Sequence, residues 1–188
     1  MDRTEALAFL REKVANDNLV KHCLACEAIM KRLAGRFGGP PDEWGLCGLL
    51  HDIDYDAVGQ DPVQHAAVGG EWLAEKGLAA EIVEAVKGDN DKAPRATPMA
   101  KALFAADPTS GFIVACALIH KEKQLAPIDL AFMQKRFKEK RFAARASREQ
   151  MSKCSELNLP LDDFLAESLA AMKEIAGELG LRPTTEDT

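Results

Sequence analysis

An all-α fold is predicted for this 188-residue chain by three observations. Apolar residues recur at three- and four-residue spacing in segment after segment, the period of a helix with one buried face. The composition is 47% hydrophobic but only 6% aromatic, with Ala and Leu abundant, which favours packed helices over sheets built from Val, Ile, Tyr and Thr. No segment reads as a strand. The length suits one domain with ample chain for a core, spanning residues 1–180, and residues 181–188 read as a flexible tail.

The elements follow in order. Thr4 to about Ala15 is a helix with Ala6, Phe9, Leu10 and Val14 on one face, and Asn16-Asp17-Asn18 breaks it and caps the next. That helix runs from Leu19 to Phe37 with Leu19, Cys23, Cys26, Ile29, Met30 and Leu33 as its stripe, until Gly38-Gly39-Pro40-Pro41 stops it. Asp42 caps a helix from Trp44 to Asp52. Asp61-Pro62 has the form of a helix start, carrying His65, Val68, Trp72 and Leu73 inward. A helix from Ala79 to Lys87 ends in the polar turn Gly88-Asp89-Asn90-Asp91. Thr97-Pro98 opens a helix that Asp107-Pro108 terminates, and an apolar helix runs from Gly111 to His120. Pro127 starts a helix that turns basic, Ser147 caps one reaching Leu157, and the last runs from Leu161 to Gly180.

Composition narrows the function. A net charge of −6 argues against general nucleic-acid or membrane-surface binding. With the chain broken at Asp107-Pro108, the longest apolar run, Phe112 to Ile119, is too short to cross a bilayer. The charged N-terminus leads into a helix and does not read as a signal peptide. Five irregularly spaced cysteines fit a reducing compartment, and a cytoplasmic protein is expected.

The chemistry concentrates in Gly45-Leu46-Cys47-Gly48-Leu49-Leu50-His51-Asp52-Ile53-Asp54-Tyr55-Asp56. His51 and Asp52 fall in the last turn of a helix, where free carbonyls and the dipole favour a cation. An imidazole beside a carboxylate suits a divalent transition ion. The pair alone also reads as a capping histidine beside a solvated acidic loop. His22 and His65 lie on or beside inward faces, and Asp107 ends the apolar run Ala102-Leu103-Phe104-Ala105-Ala106. Interiors hold such groups only when they are paired or bound to metal, so the set points to a site.

In its order of His22, then His51-Asp52, then Asp107, the chain resembles the HD-domain superfamily of metal-dependent phosphohydrolases. The match covers about residues 19–120, with the helices of 126–180 as an addition, and His51-Asp52-Ile53-Asp54 is close to the His-Asp-Ile-Gly form of one branch. The resemblance implies an ion held by His22, His51, Asp52 and Asp107. Members with two ions add two histidines before the final Asp; His65 matches the first, and Asp89 stands near where the second belongs. One ion or two, drawn from Mn, Fe, Co, Ni, Zn or Mg, is therefore expected. The implied activity is hydrolysis of a small phosphorylated substrate, a nucleotide by family habit, by metal-activated water. Asp52, His65, Asp54 and Asp56 are the acid/base candidates. The competing reading is a degenerate domain that binds metal or nucleotide without turnover, as a sensor or interaction module, and Asp89 in place of a histidine is the feature that favours it.

Positive charge for a phosphate must come from elsewhere. Residues 135–148 carry seven basic side chains, so Lys135 and Lys138 are candidates, with Lys21 and Lys101 as alternatives on the metal-bearing helices. A solvated helix face explains the same run. Cys23-x-x-Cys26 lies within a helix and reads as small core residues. His120 reads as a surface residue satisfying a helix end, and Tyr55 as a pocket or packing residue. The reading also admits a homodimer.

Overall fold

A capping box starts the first helix, α1 (Arg3–Lys13): Asp2 Oδ1 accepts the Glu5 amide at 2.9 Å and Glu5 Oε2 accepts the Asp2 amide at 2.9 Å. The computed structural model describes residues 1–59 and 61–182, and it contains helices and no strand among them. The tail expected over 181–188 lies outside the described residues from 183 onward. Leu181 itself is buried, and its carbonyl accepts the Leu125 amide at 3.1 Å.

The second helix, α2 (Asp17–Phe37), is capped by Asn16, whose side chain accepts the Asn18 amide, and it ends at Gly38 in the left-handed region (φ 70°). Pro41 occupies the first turn of α3 (Pro41–Leu50), so proline rather than the expected Asp42 opens that helix. α2 and α3 pack at backbone contact. A Cβ added at Gly48 would lie 2.6 Å from the Cys26 carbonyl oxygen, so only glycine permits the approach.

A single turn, α4 (Tyr55–Val58), follows. The helix expected from Asp61-Pro62 starts later, as α5 (Ala67–Glu75). Asp61 closes only a local turn, accepting the Val63 amide at 2.8 Å, and Ala66 adopts φ 65°, which a right-handed helix cannot pass through. The true cap of α5 is distant: Asp54 Oδ2 accepts the Gly69 amide at 2.7 Å. α6 (Ala80–Asp89) runs two residues past Lys87 and carries Asp89 at its end.

The largest departure from the sequence reading is α7 (Pro98–Ile119), one continuous helix where a break at Asp107-Pro108 was expected. Pro108 removes one ladder hydrogen bond at a cost of about 3 kcal/mol. Thr109 Oγ1 donates to the Ala105 carbonyl at 2.7 Å nearby, and burial from Met99 to Ala117 offsets the loss. Unbroken, α7 is long and apolar enough to cross a membrane by length and composition, which the sequence reading denied. Of its most apolar window, 67% is buried within the protein, as in a core helix.

Asp129, not Pro127, opens α8 (Leu130–Phe137), and its side chain accepts the Phe132 amide. Ser147 caps α9 (Arg148–Ser152), a 3-10 turn spans Lys153–Leu157, and α10 (Leu161–Glu174) closes the domain. α2 packs on α3, α7 and α10, and α6 packs on α7, α5 and α3. Ile29, Met30, Leu33, Leu49, Leu50 and Phe112 are fully buried where these layers meet. The inner faces of α2, α3 and α7 thereby converge on one point.

Two interior helical glycines should respond oppositely to alanine. Gly48→Ala forces α2 and α3 apart and should cost about 1–3 kcal/mol. Gly35→Ala meets nothing within 4 Å and should gain up to about 1 kcal/mol of helix propensity. Denaturant unfolding measures both, and equal effects would contradict the close-approach account.

Candidate metal centre

Helix α2 supplies His22, the end of α3 supplies His51 and Asp52, and the middle of α7 supplies Asp107. His22 Nε2 lies 3.1 Å from His51 Nε2, 3.0 Å from Asp107 Oδ1 and 3.5 Å from Asp52 Oδ2. His51 Nε2 is 3.6 Å from Asp52 Oδ1 and 3.7 Å from Asp107 Oδ1. His65, in the turn before α5, completes the group with Nε2 at 3.4 Å from Asp52 Oδ1.

The far side of each imidazole fixes its proton. His51 Nδ1 donates to the Gly48 carbonyl at 2.9 Å, since a carbonyl only accepts. His65 Nδ1 donates to Asp54 Oδ1 at 2.9 Å. Ser110 Oγ donates to the Asp107 carbonyl at 2.9 Å and so accepts from His22 Nδ1 at 2.8 Å. Each neutral ring then presents an unprotonated Nε2 to the same volume, as second-sphere partners do for metal-binding histidines.

That volume is short of positive charge. Burial opposes the imidazolium form of His51, yet Asp52, Asp107 and Asp89 raise its pKa to about 10. Burial, and then the charge of Asp107, raise the Asp89 carboxyl to about 8. Asp107 also feels burial, but hydrogen bonds and charge from His22 and His51 hold it well below the carboxylate range. His65 is raised against its burial by the Asp54 hydrogen bond and the charge of Asp52. Asp89 Oδ1 is buried with no hydrogen-bond partner among the described residues. Three imidazole lone pairs, carboxylates and an orphaned buried oxygen fit a divalent cation with borderline and hard ligands.

The remaining predicted residues separate into those at the centre and those elsewhere. Asp54 is fully buried and committed to His65 and Gly69, so its carboxylate orients the ring and the start of α5. Asp56, a reserve acid/base candidate in the sequence, accepts the amides of Ala15 and Asn16 at 2.7 and 3.2 Å and ties the α1–α2 junction. Lys21 pairs with Asp17 at 2.9 Å and walls a groove beside His22. Lys101 precedes Asp107 by six residues, roughly 240° around α7, and lines none of the clefts at the centre. Lys138 lines a separate hollow with Phe137 and Leu165, and Lys135 is exposed on α8 and lines neither that hollow nor the clefts at the centre.

Sequence reasoning missed Ser110, which the presumed helix break hid, and Cys26. The Cys26 sulfur is 4.0 Å from His22 Nε2, and ligand atoms of His22, Cys26, His51 and Asp107 all lie within 4.8 Å of one another. The i, i+4 spacing of His22 and Cys26 on α2 was the available signal. Burial, and then Asp107, keep Cys26 a neutral thiol. A model of the HD domain family matches residues 19–111. No curated protein and no solved structure gives a match.

The raised pKa values give a pH dependence of definite sign. Raised groups contribute stability that is full below the unfolded pKa and lost as pH rises through the folded one. For Asp89 that loss runs from the ordinary carboxyl value of 3.8 up to about 8 and for His51 from 6.5 up to about 10, whereas the lowered Asp107 contributes equally throughout this range. Chelated protein should therefore lose Tm between pH 6.5 and 9, and the same deprotonation should widen its gap from metal-loaded protein. A pH-independent gap in parallel melting scans would contradict the assignment.

Proposed function

Because this chain belongs to the HD-domain superfamily, whose members are typically metal-dependent hydrolases, we propose that it hydrolyses a small phosphorylated substrate at the centre formed by His22, His51, Asp52, His65, Asp89 and Asp107. The observation that carries the reading is the set of three imidazoles tied at Nδ1 with their Nε2 lone pairs facing carboxylates. His22, His51, Asp52 and Asp107 would hold one divalent ion and Asp89 would extend the set, which leaves His65 Nε2 free to carry a proton. When bound, such an ion acidifies water and neutralises charge on a phosphoryl group.

The chain's own residues account for the rest. Hydrolysis adds water to phosphorus, breaks the ester P–O bond and leaves an alkoxide that needs a proton. His65 lines the opening with Tyr55 and Asn90, and its side chain is only 17% exposed. Asp54 behind Nδ1 stabilises the imidazolium, so Nε2 can deliver that proton and recover it from solvent. Asn90 donates to the His65 carbonyl at 3.1 Å and fixes the turn that presents the ring. Tyr55 packs edge-on against that ring at 5.3 Å between centroids. Nucleotides remain the first substrates to screen, with Mn, Fe, Co, Ni, Zn and Mg as the ions.

Two variants test the mechanism. His51→Ala should lose bound metal and turnover together, measured by elemental analysis and a phosphatase screen. Loss of the ion with turnover retained would overturn the reading. His65→Asn should lower kcat by about 10²–10⁴-fold for alkyl phosphates and far less for p-nitrophenyl phosphate, whose leaving group needs no proton. Protein that binds metal and phosphate esters but hydrolyses none would be the degenerate module.

A further inference from the structure

Two of the clefts that reach the centre share one residue from outside it, whereas the groove walled by Lys21 does not. One is lined by His22, Asp107, Gly111, Ala143 and Arg145, and another by Tyr55, Pro62, His65, Asn90 and Arg145. Arg145 thus stands between the His22–Asp107 side and the His65 side. It is exposed and has no ion pair or hydrogen bond to another residue among those described.

The backbone that carries Arg145 is held in place. The Arg148 guanidinium donates to the carbonyls of Phe142, Ala143 and Ala146 at 2.6, 3.0 and 2.7 Å, and to that of Phe137 at 3.4 Å. It also sits over the rings of Phe112 and Phe137, at 4.6 and 5.5 Å from their centroids. Ala143, at φ 44°, turns the chain back within this grip. The other cations of residues 135–148 are spent or distant. Arg148 is used in the turn, Arg136 pairs with Glu139 at 2.9 Å, Lys138 faces another hollow, and Lys135, Lys140 and Arg141 are exposed and line neither cleft.

The centre gathers Asp52, Asp54, Asp89 and Asp107, so an anionic substrate meets a strongly acidic wall. A phosphomonoester carries up to two charges, and the carboxylates of Asp52 and Asp107 would already offset the charge of a divalent ion held there. A guanidinium supplies charge and two parallel N–H donors to phosphate oxygens, which an ammonium cannot. We propose that Arg145 is the phosphate clamp of this site, binding the non-bridging oxygens of a terminal phosphoryl group, and that the substrate class is therefore phosphomonoesters rather than diesters. This rests on the phosphohydrolase reading above.

The test compares wild type with Arg145→Ala, Arg145→Lys and the neighbouring Arg141→Ala, all metal-loaded. Arg145→Ala should raise KM for p-nitrophenyl phosphate and weaken inorganic phosphate binding by about 10–100-fold. It should leave metal content and Tm unchanged and affect bis(p-nitrophenyl) phosphate much less. Arg145→Lys should recover part of the loss, and Arg141→Ala should behave as wild type. Phosphate affinity and KM in Arg145→Ala equal to those of Arg141→Ala would overturn the proposal. Wild type that binds phosphate through Arg145 but hydrolyses no ester would uphold the clamp and end the hydrolase reading. Wild type that binds no phosphate at all would end both.

Discussion

Two imidazole nitrogens with their lone pairs facing each other, His22 Nε2 and His51 Nε2, stand 3.1 Å apart inside a helical domain. Both rings are committed at Nδ1, to Ser110 and to the Gly48 carbonyl, so neither can turn its proton inward. Asp52, Asp107 and His65 add more electron pairs to the same volume. Left without a cation, such a cluster must take up protons, and the raised pKa values of His51 and Asp89 express that demand. A divalent ion answers it with no proton at all. Much of the surrounding architecture serves to keep these groups together.

That architecture works through a few unusual contacts. Gly48 lets the α3 backbone touch α2 at Cys26, which sets the His22–His51 separation. The continuation of α7 through Pro108 brings Asp107 and Ser110 onto one turn, so that a single helix contributes both an acceptor to the cluster and the partner that fixes the His22 tautomer. Asp54 joins the turn after α3 to the start of α5 and holds His65 by the same carboxylate. A carboxylate beside the HD pair is thus a structural joint, and its negative charge stabilises a proton on His65.

The helical class was legible because periodicity is local: the stripes on α1, α2 and α6 lie in the sequence within a few turns of one another. The cluster was legible because His22, His51, Asp52 and Asp107 are polar groups set on apolar faces, and burial makes such groups expensive unless they share a purpose. What was not legible depended on distant partners. Asp54 caps a helix 15 residues away and Asp56 caps a junction about 40 residues away, and no local pattern marks either. Asp61-Pro62 has good helix-start chemistry, but Ala66 at φ 65° postpones the helix. Pro108 reads as a terminator, and only the packing around α7 overrides it. Within the basic run from Lys135, the end of α8 at Phe137 and the grip of Arg148 on the turn leave Arg145 as the cation that lines the clefts beside His22 and His65.

The account stands or falls on one cation among these side chains. Diffraction at the absorption edge of Mn or Co, from crystals of the protein loaded with that metal, locates the ion directly. The account predicts an anomalous peak within coordination distance of His22 Nε2, His51 Nε2, Asp52 and Asp107. A saturating metal concentration that leaves no peak there, with the two imidazole nitrogens still in contact, would contradict it.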